Sequence, residues 1–135
     1  MKKLVFLIML VFAFSSCSLD GEPQSEFVTL PVESVIMPES YFVNEISEIT
    51  VKYRRPTVCH MFNGFYYETN ENTRTVAINA VKLIQDNCQD DSTNVFEVPL
   101  NFKPTAEGFY VFKFWTGTDA NGVDQFLTYE IEVLP

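Results

Sequence analysis

The sequence predicts an all-β fold, an antiparallel β-sandwich of about seven strands, and three observations carry that expectation. Val (15) outnumbers Leu (9), aromatic residues make up 15% of the chain, and Ala is scarce. Such a composition suits pleated, half-buried surfaces better than helices. Strand-length apolar segments recur from residue 27 onward, several alternating apolar with polar. Turn-forming residues such as Pro, Gly, Asn and Asp recur between these segments. At 135 residues there is room for one domain, and the aliphatic and aromatic content lies far above that of disordered chains.

The elements follow in order. Segments 27–30 and 32–37 are separated by Pro31 and closed by Pro38, which reads as an edge strand broken by a residue that cannot donate to a ladder. In 46–54, Ile49, Val51 and Tyr53 face one way, and Glu48, Thr50, Lys52 and Arg54 the other. Segment 61–68 is aromatic-rich and runs into a polar turn at 70–72. Segment 73–84 is ambiguous. Val76, Ile78 and Ala80 alternate, yet Ala77, Ala80, Val81 and Ile84 share a helical face behind an Asn72 or Thr73 cap. Its β-branched residues favour the strand.

In 95–103, Phe96, Val98, Leu100 and Phe102 point inward, opposite Glu97, Asn101 and Lys103. Segment 109–115 is apolar on both faces, as a central strand is, with Tyr110, Phe112 and Phe114 on the core side. Phe96, Leu100 and Ile131 should meet them there. In 126–134, Leu127, Tyr129, Ile131 and Val133 oppose Thr128, Glu130 and Glu132.

Glu107-Gly108-Phe109-Tyr110 resembles the turn before strand F of immunoglobulin-like domains, where a tyrosine corner forms. The resemblance implies an immunoglobulin-like sandwich over residues 27–135, with Phe112 in the place of the second core cysteine. The Cys…Trp…Cys framework of antibody domains is absent.

Residues 1–16 read as a signal peptide. Met1-Lys2-Lys3 is positive and 4–14 is an unbroken apolar run, too short to cross roughly 30 Å of hydrocarbon as a helix. Phe14-Ser15-Ser16-Cys17 resembles the lipobox of bacterial lipoproteins, with Phe14 where Leu is usual. That resemblance implies cleavage before Cys17 and its acylation; an ordinary secretory signal is the alternative. Residues 17–26 then form a lipidated cysteine and a Gly/Pro/Ser-containing tether.

Asp20 and Glu22 resemble an acidic export signal of Bacteroidota lipoproteins, and the whole chain is similar to small lipoproteins of that type. What this implies is a lipid anchor in the outer membrane, periplasmic or surface-exposed. Residues 1–16 hold two lysines and no acid, so the remaining chain carries 7 basic and 18 acidic side chains, net −11. Anionic lipid repels such a surface, leaving the acyl chains to hold it. With no basic cluster, nucleic acid is excluded as a partner.

With Cys17 spent on lipid, Cys59 and Cys88 are an even pair in an exported chain, expected to form a disulfide across the ends of the 61–84 hairpin. His60 adjoins Cys59, but neighbours on a strand point apart, and a single histidine is too few for zinc. It reads as a partly exposed strand residue. Residues 119–124 look faintly like a calcium loop, yet Gly117 and Thr128 fall where carboxylates are required. Asn121-Gly122 is a turn signal instead.

Asp91-Ser92-Thr93 resembles the O-glycosylation motif of Bacteroidota secreted proteins, making Ser92 the candidate acceptor. No nucleophile elbow, phosphate loop or dinucleotide fingerprint occurs. No catalytic residue, metal or cofactor is therefore assigned.

Aromatic residues exceed what one core needs. Phe62, Phe65, Tyr66 and Tyr67 crowd one segment, while Phe109, Val111 and Trp115 lie off the core side of another. Phe109 and Trp115 mark a candidate face for a glycan or protein partner, unless a long loop or an edge strand covers them. The expected function is that of a non-catalytic, lipid-anchored envelope module that binds a partner or ligand or serves structurally. A small envelope hydrolase or hydrolase inhibitor is the alternative, and a pocket with paired carboxylates would favour it.

Overall fold

The computed structural model describes residues 24–135. Among these described residues nine strands make two facing sheets: β1 (Ser25–Leu30), β2 (Val32–Ile36), β3 (Tyr41–Phe42), β4 (Ser47–Arg54), β5 (His60–Asn70), β6 (Thr73–Leu83), β7 (Val95–Phe102), β8 (Gly108–Thr118) and β9 (Asp124–Leu134). One sheet holds β1, β3, β5, β6, β8 and β9, the other β2, β4 and β7. The all-β sandwich is thus as the sequence predicts, with two strands more than expected. Segment 73–83 is a strand whose Val76, Ile78 and Ala80 are wholly buried, so alternation prevails over the helical pattern.

The core is built by the expected faces. Ile49, Val51 and Tyr53 of β4, Leu100 and Phe102 of β7, Tyr110, Phe112 and Phe114 of β8, and Ile131 and Val133 of β9 are all buried in one cluster. Phe112 stands edge-on to Phe102, 4.9 Å between centroids, and is stacked with Phe114 at 5.9 Å. Phe96 is only partly buried against this cluster. Pro31 carries the chain from one sheet to the other, since β1 pairs with β6 and β2 with β4. Ser25 and Glu26, expected in the tether, belong to β1, opposite Leu83 and Lys82. Cys17 and the signal and lipobox residues lie outside the described residues.

The tyrosine corner forms, with the Tyr110 hydroxyl donating to the Ala106 carbonyl at 2.7 Å. Strand order nevertheless differs from an immunoglobulin domain. There the strand after B neighbours F, antiparallel to it. Here the second strand of the β5–β6 hairpin takes that place, and β6 runs parallel to β8 from Thr73 to Val76. The short β3 also pairs in parallel, with β9. Beyond Val76, β1 replaces β8 beside β6, over Ile78 to Leu83. β8 leaves β6 near its bulge, between Trp115 and Gly117.

Candidate binding face

Side chains on the outer face of the six-stranded sheet form a row set by register. Tyr66 lies opposite Ala77, and Trp115 opposite Phe126. Val76 pairs with Phe114, so Ala77 sits beside Trp115 one step on. Two rings therefore flank a methyl group across two strand spacings, roughly 9–10 Å. The resulting open cleft of about 450 Å³ is lined by Tyr66, Trp115 and Phe126 together with Glu68, Asp124, Thr29, Thr75 and Ala77.

Both carboxylates are tied to rings. The Trp115 indole N–H donates to Asp124 Oδ1 at 2.9 Å. The Tyr66 hydroxyl donates to Glu68, and that bond holds the phenol above its ordinary pKa. Each pair fixes the tilt of a ring and leaves carboxylate lone pairs free at the rim. The Lys113 ammonium lies 4.4 Å from the centroid of Phe126, so that ring already carries a cation. Glu68 and Asp124 are both exposed.

Of the candidate pair Phe109 and Trp115, the structure places only Trp115 in this cleft. Trp115 belongs to the cleft, but Phe109, 58% exposed, stands six residues away on β8, about 20 Å along the strand. Tyr66 and Phe126 are the rings that share the cleft with Trp115. Only a correct β5–β6–β8–β9 register could reveal that row, and the parallel β6–β8 pairing has no local sequence signal. Among the described residues Tyr66 and Phe62 are left 44% and 41% exposed.

Elsewhere Cys59 and Cys88 are joined, with Cα atoms 5.4 Å apart. His60 departs from expectation. It is buried, not partly exposed, with only 7% of its surface accessible. Its Nδ1 lies 2.9 Å from Thr57 Oγ1, and burial, with Lys82 nearby, lowers its pKa. With Cys59 in a disulfide, His60 has no thiol to activate. Arg55 closes the same corner, donating to Asp91 at 2.5 Å and to the His60 carbonyl at 3.1 Å. Bonds from Asn94 and Arg55 hold the Asp91 carboxyl below the usual range.

Ser92 is exposed in the following turn, its hydroxyl donating to Asp90 at 2.8 Å. Asp119 spends Oδ1 on the amides of Asn121 and Val123 and accepts from Gly122 through its carbonyl. The 119–124 segment is thus a turn, with Gly122 at φ 76°. Among the described residues no group of three His, Cys, Asp or Glu is placed to hold a metal ion.

No protein-family model, curated protein or solved structure matches the chain.

Proposed function

We propose that the protein is a non-catalytic, lipid-anchored module of the cell envelope that binds saccharide chains in the outer-face cleft. The observation that carries this reading is the Tyr66–Ala77–Trp115–Phe126 row with its two ring-bound carboxylates. A pyranose offers a face of polarised C–H bonds and a rim of hydroxyls. The first suits the negative face of an aromatic ring; the second suits carboxylate acceptors, which make stronger bonds than neutral ones. Ala77 leaves depth for a sugar ring, and Thr29 and Thr75 add hydroxyls at the floor. Cys17 would fix the module to the membrane, and the acidic surface would keep it off anionic headgroups.

Affinity electrophoresis against a panel of neutral and acidic envelope polysaccharides tests the reading. Retardation by at least one, reduced about tenfold or more in Trp115→Ala, is expected, since losing one stacked aromatic removes the centre of the contact. No retardation by any of them, or an unchanged Trp115→Ala, overturns it.

One observation favours the hydrolase alternative, namely that Glu68 and Asp124 share this cleft. Against it, both are exposed, whereas a carboxyl acting as general acid is usually desolvated. New reducing ends appearing during incubation with a bound polysaccharide, and lost in Glu68→Gln, would decide for the enzyme.

A further inference from the structure

The two sheets are unequal, six strands against three, and the smaller sheet ends at β7 while the β5–β6 hairpin extends past it. Between them lies a second cleft of about 500 Å³. Phe65, Tyr67, Thr69 and Arg74 line one wall, Leu100 to Thr105 the other, and Tyr110 closes the base. This is the inner face of the hairpin, opposite to the face that carries Trp115.

Charge singles this cleft out. The described chain has seven lysines and arginines, and Lys52, Arg54, Arg55 and Lys82 are each in an ion pair. Of the three without a carboxylate partner, Arg74 and Lys103 both line this cleft, and no acid does. In a protein with 18 acids against 9 bases, that is a local reversal of sign. Arg74 is held ready: its guanidinium lies 5.2 Å from the Tyr110 centroid, while Nη1 donates to the Glu71 and Thr73 carbonyls. A planar fork fixed in this way suits a carboxylate. The remaining lining mixes the rings of Phe65, Tyr67, Phe102 and Tyr110 with the Asn101 amide and the hydroxyls of Tyr67, Thr69 and Thr105.

We propose that this cleft binds a small organic acid, a carboxylate carried on a flat apolar body. The carboxylate meets Arg74 and Lys103, and the body lies against Phe65, Tyr67 and Phe102. A volume near 500 Å³ falls within the range of small-molecule sites. An added peptide strand fits less well, because Pro99 interrupts the donors of β7 and blunts it as an edge. The proposal is independent of saccharide binding on the other face.

The test is a titration of the ¹⁵N-labelled protein at pH 7 and physiological salt with benzoate and 4-phenylbutyrate. Benzamide serves as the neutral counterpart and inorganic phosphate as the anion without an apolar body. Amide shifts at Tyr67, Arg74, Asn101 and Lys103 are expected with the two carboxylates, and binding about tenfold weaker or more for benzamide and phosphate. Lys103→Gln and Arg74→Gln should each weaken the carboxylates about tenfold, while Trp115→Ala leaves them unchanged. Lys103 is exposed, so its variant keeps the test intact even if Arg74→Gln disturbs the hairpin end. The proposal is overturned by the absence of shifts at millimolar probe, by benzamide or phosphate binding as well as benzoate, or by an unaffected Lys103→Gln. It also fails if the shifts move to the Trp115 face.

Discussion

Phe112 is wholly buried, between the edge of Phe102 and the face of Phe114. Truncating it removes a large apolar side chain and leaves a cavity that packed neighbours cannot fill. Phe112→Ala should therefore cost about 3–5 kcal/mol, a large part of the roughly 5–15 kcal/mol a small domain possesses. Thr128 on β9 is exposed and points to the opposite face, so Thr128→Ala should cost under about 1 kcal/mol. Urea titrations of the two variants check the register, because a one-residue slip would exchange these faces. Tyr41 shows the other side of burial. Its hydroxyl finds no partner and its pKa is pushed up to about 12 by desolvation, whereas Tyr110 donates to Ala106. Tyr41→Phe should hence leave stability equal or higher, and Tyr110→Phe should lower it by about 1 kcal/mol in the same titration.

At the scale of elements, the start of β5 and the loop after β6 are fastened twice. The Cys59–Cys88 bond closes a loop of 29 residues' separation, worth about 3–4 kcal/mol on the chain-entropy account. Beside it the Arg55–Asp91 pair and the bond from the Asp91 N–H to the Pro56 carbonyl join the 55–60 corner to the 90–94 turn, while the Thr57–His60 bond braces the corner itself. Both titrating groups here have lowered pKa values, and the sign of their effect is the same. The fold prefers neutral His60, so the unfolded chain binds the extra proton first, and stability falls as pH drops below the ordinary 6.5. Asp91 is preferred charged, so its share is kept above 3.8 and lost only below it. The urea midpoint should decline from pH 7.5 to 5.5, and His60→Gln, replacing the only histidine, should remove most of that decline. The disulfide was legible from the even pair of cysteines, and strand 73–83 from its β-branched residues. The burial of His60 was not, because the corner around it is closed by Arg55, which bonds the His60 carbonyl and Asp91, 36 residues away from Arg55. β3 was also missed: two residues offer no alternation to read, and Tyr41 and Phe42 are a strand only through β9.

For the whole molecule, the feature that places the outer-face cleft is the split between β6 and β8. A parallel pair of only four residues opens at the point where β8 carries an extra residue, and β1 enters the gap, antiparallel to β6. Bulges bend a strand and sharpen its twist. This one adjoins Trp115, which stands across from Phe126, while Ala77 stays open beside Tyr66. The bulge depends on Gly117, whose φ is +113° and whose missing Cβ would stand 4.0 Å from that of Pro31. That spacing is ordinary contact, so a methyl group there would not clash. The backbone angle is the obstacle, for an L side chain at such a φ costs about 1–3 kcal/mol. Gly117→Ala should thus lower stability by that amount or straighten β8 to escape it. If it straightens, Trp115 shifts against Asp124, and saccharide retardation weakens more than in Phe109→Ala, which lies outside the cleft. Carboxylate binding between the sheets should be untouched by either change, because the lining of that cleft meets β8 only at Tyr110, seven residues before Gly117. Thermal melts with affinity electrophoresis on the two variants read both effects. A Gly117→Ala protein with full stability and full retardation would show that the bulge does not position Trp115.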